Sequence, residues 1–151
     1  MKKSIKTRVC KDLSLFLMGG FAYGMIEVLW RRRTHISMVI TGGLCFIILY
    51  KIFKKCTDIA LISKCVIGSA VITVLEFFCG CIVNLWLRLN VWDYSNVAYN
   101  LLGQICLYYS ILWGLLTIPI SIVCKGINKF NPRRFLKQKQ KESCCSSHVS
   151  Q

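Results

Sequence analysis

Charged residues are almost absent from four long segments of this 151-residue chain. Residues 13–30 contain only Glu27, residues 65–87 contain only Glu76, and residues 36–50 and 94–124 contain no charged residue. Apolar stretches of this kind are not expected of a soluble domain, and about 20 such residues are typical of a membrane-spanning helix. The sequence therefore predicts an all-α, polytopic integral membrane protein with four transmembrane helices and short connections.

The positions of the charges predict the boundaries of the transmembrane domain. A basic leader at residues 1–12 precedes spans at about residues 13–30, 36–53, 59–87 and 97–124, and a basic tail at residues 125–151 follows them. The tail has few apolar residues and several like charges. This composition predicts disorder near an anionic membrane surface.

Acidic residues are scarce, with 6 Asp and Glu against 20 Lys and Arg. The basic residues flank the apolar segments, and no nucleic-acid-binding module is recognisable, so membrane lipids and not nucleic acids are the predicted partners. Of the 20 basic residues, 16 lie in the leader, the second connection and the tail, and 4 lie in the first and third connections. This asymmetry predicts that both termini are cytoplasmic.

The chain has only 2 His residues, and none of its 10 Cys residues form a C-x-x-C pair, so zinc-site spacing is missing. Most of the cysteines fall inside predicted spans or on the predicted cytoplasmic side, where they behave as small apolar residues and not as disulfides. Cys144, Cys145 and His148 in the tail are an alternative metal site, but a solvated tail is the favoured interpretation. No metal site and no cofactor is predicted.

Glu76 lies near the middle of the third predicted span. A carboxylate there costs about 2.5–3.5 kcal/mol on insertion scales, so it requires a partner or a wet cavity. It belongs to a series with helical spacing, made up of Cys65, Ser69, Thr73, Glu76, Gly80 and Asn84. Helix packing is the favoured interpretation for Ser69, Thr73 and Gly80, and a functional role is favoured for Glu76 and Asn84.

More polar residues gather at the end of the bundle where the first and third spans finish. Glu27 follows a G-x-x-x-G pair, Gly20 and Gly24, which predicts a packing face. Asn100 and Gln104 have i, i+4 spacing in the fourth predicted span, so their amides should face the same side. Simpler roles are possible for some of these residues. The arginines of the first connection could contact lipid headgroups, Trp92 could anchor the chain at the interface, and Asp93 could cap the fourth helix. Together these positions predict a polar funnel that opens to the outside.

Several motifs in their order along the chain resemble one known family. They include the pattern Gly-Gly-Phe-x-Tyr-Gly-x-Ile-Glu at residues 19–27 and the block GCIVNLWLRLNVWDYSNVAYNLLGQICLYYSILW at residues 80–113. The chain is similar, over about residues 19–119, to the Putative ABC-transporter type IV family of small bacterial membrane proteins. The resemblance implies a permease-like role in the bacterial cytoplasmic membrane. The chain has no G-x-x-x-x-G-K-[ST] loop, so an ATPase would be a separate subunit; a homo-oligomer is the alternative partner.

Three hypotheses of function remain open. The leading one is a transporter or permease component with an outward-facing polar cavity, in which Glu76 pairs with a cation, a proton or Arg31. The candidate ligand-binding residues are Glu27, Arg31, His35, Glu76, Asn84, Trp92, Asp93, Asn100 and Gln104. The second is a membrane-embedded enzyme acting on a lipid or isoprenoid through His35 and the carboxylates. The third is a structural or regulatory subunit whose Glu–Arg pairs fix helix register.

Overall fold

The computed structural model describes residues 2–56 and 59–129, with side chains described from residue 8 onward. Four α-helices account for most of this part of the chain: α1 (Lys2–Arg31), α2 (Ile36–Lys55), α3 (Leu61–Gly80) and α4 (Leu107–Lys129). A π-helical segment, Cys81–Trp86, continues α3. A long loop (residues 87–106) then leads to α4 and contains a two-residue antiparallel pair, β1 (Asn100–Leu101) and β2 (Ile105–Cys106).

Each helix is long and apolar enough to cross a bilayer. Within the described residues the four candidate spans are Arg8–Arg31, Ile36–Lys55, Leu61–Trp86 and Leu107–Lys129, of 20 to 26 residues each. A helix pairs all of its own interior backbone groups, which is the requirement for a segment that has no water to bind. The predicted all-α, four-span membrane fold is confirmed.

Two helix pairs form the bundle, and glycines bring each pair together. Between α1 and α2, a Cβ added at Gly19 would lie 2.3 Å from the Cβ of Phe46, and one added at Gly20 would lie 2.7 Å from the carbonyl oxygen of Val39. Gly24 also faces Val39. Between α3 and α4, a Cβ at Gly68 would lie 2.0 Å from Thr117 Oγ1. Small residues thus allow close helix approach where both helices are apolar.

The two pairs share one apolar core through α2. Leu49, Phe46 and Tyr50 of α2 are buried with Ile72 of α3 and Cys124 of α4. At the end of the bundle where α1 begins, Lys11 Nζ donates to Tyr50 Oη over 2.6 Å, and Tyr50 Oη donates to Asn128 Oδ1 over 2.8 Å. α1, α2 and α4 are therefore also joined by polar contacts at that end.

The fourth helix begins ten residues later than predicted. The predicted span at 97–124 placed Asn100 and Gln104 on a helix, whereas α4 is Leu107–Lys129. Tyr99, Leu102 and Gly103 have φ values of 56°, 52° and 68°. These left-handed conformations are incompatible with a right-handed helix, so Asn100 and Gln104 lie in the long loop and do not share a helical face.

The leader and the tail also differ from their predicted limits where the structure describes them. α1 begins at Lys2, so residues 2–12 continue the first helix and are not a separate leader. α4 continues through Lys125 to Lys129. Residues 130–151, with the predicted disordered tail and the Cys144, Cys145 and His148 cluster, lie outside the described residues.

Candidate functional site

Polar side chains gather at one end of the bundle, where α1 ends, α2 begins and the long loop folds over the π-helical segment. We call this the loop end. A recess of about 180 Å³ opens there between the two connections. Its lining residues are Glu27, Arg31, Arg33, Thr34, His35, Leu89, Asn90 and Val91. The recess thus contains three of the nine predicted site residues, Glu27, Arg31 and His35.

Glu27 and Arg31 hold one another at the edge of this recess. Arg31 Nη1 lies 3.3 Å from Glu27 Oε1, and their side chains are only 24% and 8% exposed. Thr34 Oγ1 donates to Glu27 Oε2 over 2.6 Å, and Arg31 Nη2 donates to the carbonyl oxygen of Val91 over 3.4 Å. The i, i+4 spacing explains the pair, and its partial burial strengthens it relative to an exposed pair. The pair therefore joins the end of α1 to both connections.

His35 is fixed in the recess because it caps α2. Its Nδ1 accepts a hydrogen bond from the backbone N–H of Ser37 over 3.2 Å and lies 2.8 Å from Ser37 Oγ. A side chain that accepts from this N–H satisfies one of the donors that a helix leaves unpaired at its start. Because Nδ1 is an acceptor, the proton of a neutral imidazole is on Nε2. No cap signal is visible in the sequence here, since His is not a favoured N-cap residue.

Asn84, Trp92 and Gln104 form a closed network beneath the long loop. Asn84 Nδ2 donates to the carbonyl oxygen of Trp92 over 3.0 Å and to Gln104 Oε1 over 2.8 Å, and Asn84 Oδ1 accepts from the backbone N–H of Val91 over 2.8 Å. Trp92 Nε1 donates to the carbonyl oxygen of Gln104 over 2.9 Å. All three side chains are buried. The network therefore fastens the loop to the π-helical segment, and none of its three members lines the recess.

Glu76 is buried between α3, α4 and the long loop, and is 2% exposed. Its Oε2 accepts from Trp113 Nε1 over 2.7 Å, and its Oε1 accepts from Tyr94 Oη over 3.4 Å. Burial raises the pKa of Tyr94 well above its usual value, with the nearby Glu76 carboxylate as the next cause, so the phenol keeps the proton that it donates. Arg31 was one of three predicted partners of Glu76, with a cation and a proton as the others; among the described residues, Arg31 forms its ion pair with Glu27 and not with Glu76.

Ser69 and Thr73 of the third-span series lie against α4, and Gly80 lies against the long loop. Ser69 Oγ donates to the carbonyl oxygen of Ser110 over 2.5 Å, and Thr73 Oγ1 donates to Ser110 Oγ over 3.0 Å. A Cβ added at Gly80 would lie 2.6 Å from Gln104 Oε1. These contacts agree with the packing interpretation of Ser69, Thr73 and Gly80.

Asp93 and Asn100 shape the exposed part of the long loop. Asp93 Oδ1 accepts hydrogen bonds from the backbone N–H and the hydroxyl of Ser95, which lower the pKa of the Asp93 carboxyl. Asn100 Oδ1 accepts from the N–H of Gly103 over 3.1 Å, and its Nδ2 donates to the carbonyl oxygen of Val97 over 2.8 Å. Asp93 stabilises a turn within the loop, whereas α4 begins only at Leu107, so the alternative that Asp93 caps the fourth helix is wrong.

The four residues required by the enzyme hypothesis lie in three separate environments. Glu27 and His35 line the recess, Glu76 is buried against Trp113, and Asp93 is exposed in the loop. Across residues 8–56 and 59–129, no three His, Cys, Asp or Glu side chains gather into a group suited to a metal ion.

We expect Trp113→Phe to lower the stability of the bundle by about 2 kcal/mol, because Glu76 Oε2 loses its short hydrogen bond inside an apolar span. The aromatic ring that packs against Tyr23 is kept. Thermal unfolding of the detergent-solubilised protein measures the change. Trp86→Phe is the matched control, since Trp86 is 78% exposed.

The double variant Glu76→Leu/Trp113→Phe should recover part of the lost stability, because it removes both partners of this hydrogen bond and leaves only the Tyr94 hydroxyl without its acceptor. Equal losses for Trp113→Phe and Trp86→Phe, or a double variant no more stable than Trp113→Phe, would show that Glu76 does not depend on Trp113.

Comparison with known proteins gives one match. A family model described as Putative ABC-transporter type IV matches residues 14–145, which include most of α1 and all of α2, α3 and α4. No curated protein and no solved structure was found to match the chain. Because the family model covers more than half of the sequence, this multi-pass membrane protein belongs to the Putative ABC-transporter type IV family.

Proposed function

We propose that this chain is the permease subunit of a transporter and that the recess at the loop end binds an anionic ligand. The observation that carries the proposal is the recess itself, which Arg31, Arg33 and His35 line together. Arg31 is largely withdrawn from solvent, and a partly buried cation attracts an anion more strongly than an exposed one does. Membership of an ABC-transporter family supports the transport role.

The charge in the recess favours an anion over a cation. Its only carboxylate is Glu27, both of whose oxygens already accept hydrogen bonds, from Arg31 and from Thr34. Two guanidinium groups against one occupied carboxylate leave a net positive charge. Arginine donors in a planar fork suit carboxylate and phosphate oxygens.

Transport would require a second subunit and a defined orientation. The chain has no nucleotide-binding loop, so ATP would be hydrolysed by a separate chain. In the sequence, 16 of the 20 basic residues belong to the N-terminal segment, the second connection and the C-terminal segment. By the positive-inside rule these segments are cytoplasmic, so the recess faces the outside of the bacterial cytoplasmic membrane. A topology reporter fused after Gln151 should give a cytoplasmic signal, and an extracytoplasmic signal would reverse this orientation.

We expect cells that lack this chain to distribute a class of anionic molecules differently between cell and medium. Restoring the native chain should reverse the difference, and Arg33→Gln should fail to reverse it, because one of the two guanidinium groups of the recess is lost. Mass spectrometry of cell and medium extracts measures the distribution. Tagged protein purified from the same membranes should carry an ATP-hydrolysing chain.

Arg32→Gln is the matched control for this experiment. Arg32 is adjacent in sequence and exposed, but it does not line the recess. The variant should restore the distribution as the native chain does. Identical behaviour of Arg32→Gln and Arg33→Gln would exclude the recess as the binding site, and an unchanged distribution without the chain would exclude transport.

A further inference from the structure

An apolar cavity of about 280 Å³ lies within the bundle between α1, α2 and α4. Gly19, Gly42 and Phe46 line it from α1 and α2, and Pro119 and Ile120 line it from α4. No charged residue lines it. A cavity with such walls suits a hydrocarbon chain and not a polar solute.

The cavity opens sideways toward the space that lipid would occupy. Met18 and Ile26 of α1 and Val123 of α4 line the cavity and are 39%, 40% and 43% exposed. In a helix that spans a bilayer, side chains exposed at this depth face hydrocarbon. A chain from the bilayer could therefore enter between α1 and α4 without passing through water.

A small space, which we call the neck, lies along α1 between the apolar cavity and the recess. This neck, of about 30 Å³, is lined by Tyr23 and Ile26, which also line the cavity, and by Glu27 and Arg31, which also line the recess. All three spaces follow α1, from Met18 to Arg31, over about 20 Å at the helical rise of about 1.5 Å per residue. Trp30, at the neck, is 67% exposed, so its side chain has room to turn outward.

We infer that the recess, the neck and the apolar cavity form one site for an anionic amphiphile, with its acidic head at Arg31 and Arg33 and its hydrocarbon chain along α1. The inference rests on the proposed function for the recess and names the class of ligand. A ligand that fits only one end leaves the other end empty: a free anion does not fill the cavity, and a neutral hydrocarbon does not bind the arginines. A phosphate or carboxylate head on one long chain satisfies both.

The test uses the full chain in nanodiscs of neutral phosphatidylcholine, with dodecyl phosphate carrying a photoreactive group at the end of its chain. Illumination should label α4 near Pro119 and Ile120, as mapped by mass spectrometry of peptides. Unlabelled dodecyl phosphate should compete, whereas inorganic phosphate and dodecanol should not. Nanodiscs that contain phosphatidylglycerol separate the two sources of the ligand: loss of labelling there assigns the site to a membrane lipid, and retained labelling assigns it to a free amphiphile.

Two variants test the two ends of the site. Arg33→Gln should weaken competition by dodecyl phosphate about tenfold, the effect of losing one charge-assisted hydrogen bond. Ala22→Phe should abolish labelling at α4, because Ala22 lines the cavity and the ring would occupy it. Arg32→Gln and Ala70→Phe are the matched controls, since neither residue lines the three spaces.

Three outcomes would overturn the inference. If inorganic phosphate competed as well as dodecyl phosphate, the recess would bind free anions; the proposed function would stand, and the inference of an amphiphilic ligand would be wrong. If dodecanol competed as well as dodecyl phosphate, the cavity would bind hydrocarbon chains without regard to an acidic head. Labelling unchanged by Ala22→Phe would exclude the cavity, whatever the distribution experiment on cells shows.

Discussion

Replacing Asn84 by leucine is expected to detach the long loop from the end of the bundle. Leucine has a similar size but leaves three buried groups without partners: the N–H of Val91, the carbonyl oxygen of Trp92 and Oε1 of Gln104. An unpaired buried polar group costs about 1–3 kcal/mol, so the loss should reach about 3 kcal/mol or more. Hydrogen exchange of residues 87–106 measures the detachment of the loop, and thermal unfolding in detergent measures the loss of stability.

Asn96→Leu is the control for this substitution, since Asn96 is an exposed residue of the same loop. It should leave both exchange and unfolding close to those of the native chain. The double variant Asn84→Leu/Gln104→Leu should cost less than the sum of its single variants, because the two side chains bond to each other. Strict additivity, or equal effects of Asn84→Leu and Asn96→Leu, would contradict the network described above.

The loss of the loop should also reach the proposed binding site. Leu89, Asn90 and Val91 form one wall of the recess, and Val91 accepts a hydrogen bond from Arg31. Asn84 supports this wall without lining the recess. It is therefore a positioning residue, and its replacement should weaken ligand binding together with loop protection, whereas Arg33→Gln should weaken binding alone.

The four spans were predictable because the bilayer leaves few solutions. A long segment without charge can enter hydrocarbon only if its backbone groups bond to one another, and a single helix does this without any partner. The position of Glu76 was also predictable, since the spacing of the third span places it on one face with Thr73 and Asn84. Its partners were not, because Tyr94 and Trp113 are far along the chain and reach Glu76 only after α4 packs on α3.

The long loop marks the limit of prediction from this sequence. Residues 94–106 carry no charge and continue directly into α4, so hydropathy alone extends the helix over them. What prevents a helix is the left-handed backbone at Tyr99 and Leu102, residue types that give no signal for it. Asn84 and Trp92 also bond to Gln104 across the loop, and local spacing does not reveal these contacts.

The recess was predicted in part. Charge and position identify three residues that line the recess: Glu27, Arg31 and His35. The same reasoning also places three buried residues in that cavity, because they lie toward the same end of the bundle: Glu76, Asn84 and Gln104. In the structure these buried groups pair with protein donors and acceptors. Sequence spacing identifies which residues need partners, and only packing shows whether the partner is another side chain or a ligand.

Gly68→Ala is expected to destabilise the bundle by about 3 kcal/mol, although it adds a single carbon atom. That Cβ would lie 2.0 Å from Thr117 Oγ1 and 2.7 Å from Thr117 Cβ, where α3 and α4 are in contact. Thr117 is completely buried, and its stiff side chain donates to the carbonyl oxygen of Trp113 over 2.8 Å, so it has no room to move. The helices must separate, which is the costly form of overpacking.

Gly126→Ala gives a control of opposite sign. Gly126 lies in α4 with nothing within 4 Å of an added Cβ, so alanine should stabilise the helix there by up to about 1 kcal/mol. Thermal unfolding of both variants in one detergent compares them directly. Removing the obstructing side chain in Gly68→Ala/Thr117→Gly should recover stability relative to Gly68→Ala, even though glycine is unfavourable within a helix. If Gly68→Ala unfolded at the native temperature, the close contact of α3 with α4 at this position would be wrong, and with it the helix approach that holds Trp113 against Glu76.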